Sequence, residues 1–235
     1  MKNVSIKNIF NKSWVDFKSN WMILVGATIV YGIISGIIQY AKENPSPATS
    51  ILALVGGFVS IYLGLTFIRT YINIADGKKV TFADFFTNSK DFMHFIKYFG
   101  TVVILSIIIT APMLLIVFFL VTSGKGFLAV DLFVILSTFV LAFVYAFIVS
   151  IFLMFTVYFS AEDRYHFLTA IKKSYIIGKN NFGKMFLLLL TSLFLNILGA
   201  LALIVGLLVS IPLTWLMIVH FYRLADPEVE IVGVQ

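Results

Sequence analysis

The chain of 235 residues contains no cysteine, which excludes disulfide bonds and thiolate metal sites. Charged residues are also scarce, at 12% of the sequence compared with roughly 25% in a soluble domain. No HExxH pattern, phosphate-binding loop or nucleophile–base pair occurs. We therefore predict no catalytic, cofactor-binding or metal-binding residues, and we do not expect an enzyme.

Apolar residues dominate the composition. They make up 60% of the chain, and the mean hydropathy is +1.03. A water-soluble fold of this length has too little interior to bury so much apolar surface. The composition therefore predicts an all-α, polytopic membrane protein that forms a single membrane domain over residues 1–235.

The longest uncharged run, from Met185 to Tyr222, indicates how the membrane helices are arranged. It is too long for one span of about 20 residues and fits two. Glycine permits a tight turn, so we expect the break between Gly199 and Gly206. Four other apolar runs predict further spans, which gives six transmembrane helices, the first four at about 21–40, 51–71, 98–121 and within 132–159.

Each pair of spans follows a segment in which large apolar residues recur at helical spacing. These segments lie at residues 5–19, around Phe82 to Ile96, and around Phe167 to Tyr175. We expect three amphipathic helices in the cytoplasmic membrane interface. The basic residues that should face lipid there are Lys7, Lys12, Lys18, Lys172, Lys173 and Lys179.

Internal similarity indicates three parallel helix-plus-hairpin repeats. The residues Lys12-Ser13-Trp14, followed by Asn20-Trp21, match Lys173-Ser174-Tyr175, followed by Asn181-Phe182. Likewise, Val59-Ser60-Ile61 ahead of Asp76 matches Val209-Ser210-Ile211 ahead of Asp226. The predicted units are residues 1–76, 77–163 and 164–226, with a short tail at 227–235.

Lysine and arginine are distributed unevenly between the two sides that alternating spans define. Of 17 such residues, only Lys42 and Lys125 fall on one side. Because basic loops remain in the cytoplasm, both termini and the amphipathic segments are predicted to be cytoplasmic. The net charge of +6 therefore indicates contact with anionic lipid of the inner leaflet rather than with nucleic acid.

A few polar residues are candidates for a function. Asn196 is the one strongly polar residue deep in a span, and it either makes an interhelical hydrogen bond, which we favour, or lines a substrate path. His220 is either a pH sensor or, as we favour, an ordinary interfacial histidine. Other charged residues recur at the cytoplasmic span ends, where they either pair across the repeats, which we favour, or stand as solvated caps: Arg69, Asp76, Asp163, Arg223 and Asp226.

The last hairpin and its surroundings carry a familiar set of residues: Ala170, Lys172, Ser174, Gly178, Asn181, Asn196, Gly199, Gly206, Pro212 and Tyr222-Arg223-Leu224, together with Asp76-Gly77-Lys78. This set resembles a bacterial family of six-span membrane proteins, similar to the membrane domain found fused to glycerophosphodiester phosphodiesterases. One departure is Pro112, which is followed by Met113 where the family often has glycine. The resemblance implies the bacterial cytoplasmic membrane and a six-helix domain, and it implies no established activity.

Two functions fit these observations. The first, which we favour, is a non-catalytic accessory or scaffold subunit that binds other membrane proteins and lipid. The alternative is a transporter or lipid-handling protein for an apolar or amphipathic solute. No acidic residue lies well inside a predicted span, which is unusual for an ion-coupled transporter. A polar cavity that reaches Asn196 would favour the alternative, and a dry, packed bundle would favour the first.

Overall fold

A computed structural model describes residues 5–89, 91–122, 132–202 and 205–226. These residues form helices and no strand. All of the helices except the third are long and apolar enough to cross a membrane, so the prediction of an all-α protein with six spans is confirmed. The helices are α1 (Ile6–Glu43), α2 (Pro47–Ala75), α3 (Asp84–Thr87), α4 (Phe92–Thr122), α5 (Leu132–Glu162), α6 (Phe167–Leu201) and α7 (Leu207–Ala225).

Local chemistry explains where the first and last hairpins turn. Ser46 precedes α2, and its Oγ accepts a hydrogen bond from the Thr49 amide at 3.2 Å, while Thr49 Oγ1 accepts one from the Ser46 amide at 2.7 Å. This capping box satisfies amides at the start of the helix. Between α6 and α7 the break falls where the glycines predict it. A Cβ on Gly206 would lie 2.5 Å from the Gly199 carbonyl oxygen, so the backbones approach too closely for a side chain.

The predicted first and third amphipathic helices are not separate elements. They are the N-terminal parts of α1 and α6, each joined to its span through a kink, at Asn20 and Asn181 respectively. The second predicted amphipathic helix is only the single turn α3. Phe92 already belongs to α4, because Asp91 Oδ1 accepts a hydrogen bond from the His94 amide at 2.7 Å and so caps a new helix. The three-repeat organisation stays a prediction.

Each of these three segments packs against the second long helix of another hairpin. The N-terminal part of α1 contacts α7, and α3 contacts α2, where Thr66 Oγ1 donates to the Phe85 carbonyl at 2.7 Å. The N-terminal part of α6 contacts α5, where Ser174 Oγ donates to the Phe152 carbonyl at 2.8 Å and accepts from the Phe155 amide at 3.1 Å. Other helices therefore cover part of the apolar face of each amphipathic segment.

The core is concentrated at one end of the bundle, where α2, α5 and α7 finish. We call these three the inner helices and this region the ion-pair end. Aromatic rings join the inner helices there: Tyr71 stacks on Trp215 at 6.2 Å, and Phe155 and Tyr158 lie 5.5 and 5.2 Å from Tyr222. Farther from the ion-pair end, apolar side chains such as Leu54 and Leu141 are exposed.

Gly32 and Gly36, four residues apart in α1, form a GxxxG pattern but make no close helix contact within the described part of the chain. A Cβ placed on Gly32 or Gly36 would meet no atom within 4 Å. Gly56 of α2 is the glycine that lets α1 and α2 approach, since a Cβ there would lie 2.6 Å from an Ile38 side-chain carbon.

Candidate functional site

One guanidinium joins the three inner helices at the ion-pair end. Arg223, in the last turn of α7, donates from Nε and Nη2 to Asp76 Oδ1 and Oδ2 at 2.8 and 2.7 Å. This is the parallel, two-bond geometry in which arginine holds a carboxylate most firmly. Nη2 also lies 2.8 Å from Glu162 Oε1, and Nη1 donates to Glu162 Oε2 at 3.1 Å. Asp76 directly follows α2 and Glu162 ends α5, so the pairing crosses all three hairpins.

A second guanidinium extends the network. Arg164 follows α5, and its Nη1 donates to Asp226 Oδ2 at 2.7 Å and lies 3.6 Å from Glu162 Oε2. The Asp226 side chain is only 1% exposed and therefore needs a charged partner. Tyr222 OH also donates to Glu162. Burial lowers the pKa of Arg164, but Tyr222, Glu162 and Asp226 raise this pKa more, so it lies above its ordinary value and the guanidinium stays charged.

The remaining two predicted members lie beside this network, and the negative charges of Glu162 and Asp163 both act on Arg69. Asp163 Oδ1 pairs with Lys97 Nζ at 3.2 Å, in a setting where the lysine side chain is 57% exposed. Arg69 Nη1 lies 3.4 Å from both the Ala161 carbonyl and His94 Nδ1, and its buried Nε has no hydrogen-bond partner among the described residues. The structure therefore brings Asp76, Arg223 and Asp226 together, and it places Asp163 and Arg69 at neighbouring contacts.

Sequence reasoning missed the central members Glu162, Arg164 and Tyr222. The signal was present in the consecutive charges Glu162-Asp163-Arg164, which follow a long apolar run just as Arg223 follows another. A second missed contact is that between His220 and Asp16. His220 Nε2 lies 2.7 Å from Asp16 Oδ2, and its side chain is 2% exposed. This pair ties the N-terminal part of α1 to α7, so His220 fastens two helices to each other.

The interhelical hydrogen bond predicted for Asn196 has no counterpart at its carbonyl oxygen among the described residues. Asn196 Oδ1 is buried and has no hydrogen-bond partner among the described residues, and the same is true of Ser192 Oγ and Ser210 Oγ. Ser210 Oγ faces Gly199, where a Cβ would overlap it. Asn196 is therefore a half-buried amide on α6 whose carbonyl oxygen has no hydrogen-bond partner among the described residues.

A cleft of about 540 Å³ opens elsewhere, between α2 and the start of α4, and Asn196 does not line it. We call it the α2–α4 cleft. Its lining residues are Phe58, Val59, Tyr62, Ser89, Asp91, Phe92 and Phe95.

The predicted lipid-facing lysines lie on the N-terminal parts of α1 and α6. All are exposed except Lys173, whose Nζ lies 3.1 Å from Tyr165 OH and 4.2 Å from the centre of that ring. Large apolar side chains stand exposed beside them, with Val15 at 56% and Leu168 at 69%. We call this surface the basic rim: Lys7, Lys12, Lys18, Lys172, Lys173, Lys179, Trp14, Val15, Leu168 and Tyr175.

Together, the fold and the site define a multi-pass membrane protein in which charged side chains at one end fasten three hairpins to one another. Within the described ranges, no three His, Cys, Asp or Glu residues are grouped so that they could hold a metal ion. No protein-family model, curated protein or solved structure matches the chain.

Proposed function

We propose that the protein is an accessory or scaffold subunit of the bacterial cytoplasmic membrane, which binds other membrane proteins and lipid and catalyses no reaction itself. The observation that carries this proposal is the internal pairing of Asp76, Glu162, Arg164, Arg223 and Asp226. Side chains held in such pairs stabilise one arrangement of the three hairpins and are not free to act on a substrate. A rigid arrangement suits a protein that presents a surface.

The basic rim is the surface that we assign to partners. The unequal distribution of lysine and arginine supports a cytoplasmic position for the ion-pair end and this rim. Exposed lysines there attract anionic lipid headgroups. Exposed apolar side chains between them, such as Val15 and Leu168, provide the contact area that a neighbouring membrane protein needs. The resemblance to a bacterial six-span family without an established activity agrees with this role.

Site-specific photo-crosslinking in the native membrane tests the proposal. A photoreactive residue would replace Val15 or Leu168 on the rim, and Leu115 or Leu141 as matched controls, which are exposed at 68% and 70% on α4 and α5. We expect the rim positions to yield one discrete protein adduct and the controls to yield lipid adducts only. Lipid adducts alone at all four positions would contradict a partner on the rim.

One observation favours the lipid-handling alternative. Trp215 is 40% exposed although it lies on an inner helix and is followed by the fully buried Leu216 and Met217. An apolar chain that entered the bundle beside α7 could contact the exposed part of this side chain. In a variant whose only tryptophan is Trp215 (Trp14→Phe, Trp21→Phe), quenching by acyl-brominated lipid would favour this alternative. Absence of quenching by both brominated lipid and aqueous iodide would count against it.

A further inference from the structure

The α2–α4 cleft has two chemically different ends. Its wall is aromatic and aliphatic, with Phe58, Val59 and Tyr62 from α2 facing Phe92 and Phe95 from α4. Its other lining residues, Ser89 and Asp91, are polar and come from the linker that leads into α4. The polar end thus lies at the first turn of α4, and the apolar wall continues along the two long helices.

Ring contacts between the two helices hold the apolar wall in place. Phe58 stacks on Phe99 with ring centres 5.2 Å apart, and Tyr62 meets Phe95 edge to face at 5.7 Å. Phe92 lies 6.4 Å from Phe95 and is 75% exposed. Because α2 and α4 are long and apolar enough to cross a membrane, a flexible hydrocarbon chain is the ligand that the shape and chemistry of this wall suit.

The polar end of the cleft determines which headgroup a bound lipid must carry. Asp91 uses Oδ1 to accept the hydrogen bond from the His94 amide, which caps α4, and Asp91 also lines the cleft. A carboxylate only accepts hydrogen bonds and brings a negative charge. Ser89 adds a hydroxyl beside it. A headgroup with N–H donors and a positive charge complements this end, and neighbouring aromatic rings also attract a cation.

We propose that the α2–α4 cleft binds one membrane lipid whose headgroup carries a primary ammonium. The ammonium would lie at Asp91 and Ser89, and an acyl chain would lie against Tyr62, Phe95 and Phe58. This site goes beyond the accessory role, because it holds whether or not a partner protein binds the basic rim.

Native mass spectrometry of the purified full chain tests the site with three lipids of identical acyl chains: phosphatidylethanolamine, phosphatidylcholine and phosphatidylglycerol. Phosphatidylethanolamine should bind about tenfold more tightly than phosphatidylcholine, because only its headgroup donates charged hydrogen bonds to Asp91. Equal binding of the three lipids would overturn the proposal. Tightest binding of phosphatidylglycerol would also overturn it, since that lipid would report the basic rim.

One substitution separates the charge of Asp91 from its structural role. Asparagine caps a helix as well as aspartate does, so Asp91→Asn should keep α4 intact and abolish the preference for phosphatidylethanolamine. The matched control is Asp84→Asn, because Asp84 Oδ2 accepts from the Thr81 amide at 2.6 Å and lies outside the cleft. This control should retain the preference. An unchanged preference in folded Asp91→Asn would contradict the site, and if that variant does not fold, the three-lipid comparison still decides.

Discussion

Asn20 and Asn181 adopt the same backbone conformation at the kinks of α1 and α6. Their φ and ψ angles are −123° and 15° for Asn20, and −128° and 18° for Asn181. Each side-chain amide donates to the carbonyl four residues earlier, Asp16 or Ile177, at 3.0 Å. These bonds give the backbone a local alternative to regular helix. At this position, the similarity between the two sequence segments has a structural counterpart.

The first prediction concerns these kinks. Asn20→Ala and Asn181→Ala should each lower the free energy of unfolding by about 1 kcal/mol, because each loses a half-buried hydrogen bond and favours a straight helix. Asn44→Ala is the matched control: Asn44 Nδ2 donates to the Tyr40 carbonyl at 3.0 Å, but at an exposed helix end. Asn44→Ala should lower the free energy of unfolding much less than the other two substitutions. Thermal unfolding of the three variants in detergent measures the difference. An equal loss in all three variants would contradict a special role for the kinks.

The second prediction concerns Arg223. Its side chain is only 12% exposed, so removing its charge leaves Asp76 and Glu162 without their shared partner. Arg223→Gln should lower the free energy of unfolding by about 3 kcal/mol. Arg223→Lys should cost about 1.5 kcal/mol, since an ammonium cannot make the two parallel bonds.

Lys97→Gln provides the comparison for Arg223, because it breaks the exposed pair with Asp163 and should cost at most about 0.5 kcal/mol. Denaturant unfolding of the four proteins, including wild type, measures these differences. If Arg223→Gln is no more damaging than Lys97→Gln, the network does not fasten the hairpins.

The third prediction uses the close approach of α6 and α7. A methyl group at Gly199 would overlap Ser210 Oγ and lie 3.0 Å from the Gly206 carbonyl carbon, so Gly199→Ala should cost about 1–3 kcal/mol. A Cβ at Gly57 would meet no atom within 4 Å, and Gly57→Ala should be neutral or stabilise by about 0.5 kcal/mol. Gly199→Ala should therefore lower the melting temperature, whereas Gly57→Ala should leave it unchanged or raise it. A harmless Gly199→Ala would contradict the observed hairpin geometry.

The fourth prediction concerns Asn196. Because Oδ1 accepts no hydrogen bond from the described residues, Asn196→Ala should change the free energy of unfolding by less than about 0.6 kcal/mol. Asn196→Asp should be clearly worse, since it places a carboxyl group in an apolar span. A loss above about 1.5 kcal/mol in the alanine variant would mean that the amide has a partner in the membrane, such as a water or a neighbouring protein.

Apolar runs and glycines were sufficient to predict the six spans and the last turn. They could not predict which charges meet, because Arg223 and Asp76 are far apart in the chain and are brought together only by the packing of two hairpins. Helical spacing also overextended the second amphipathic segment. The apolar positions continue from Phe82 to Ile96, but the hydrogen bond of Asp91 to the His94 amide begins a new helix within that range. Local capping therefore overrode periodicity.

The proposed role of the basic rim, including its contact with lipids of the inner leaflet, requires that the ion-pair end face the cytoplasm. The chain has no cysteine, so single introduced cysteines report their own positions without background. Pro45→Cys lies in the α1–α2 turn, Lys79→Cys follows α2, and Lys172→Cys lies on the rim. Lys125→Cys tests the other predicted outer loop, outside the described residues.

The decisive measurement is labelling of these four variants with a membrane-impermeant maleimide in intact cells. If the ion-pair end is cytoplasmic, positions 45 and 125 should be labelled at once, and positions 79 and 172 only after the membrane is permeabilised. Labelling of position 79 or 172 in intact cells, or protection of position 45 or 125, would contradict this orientation.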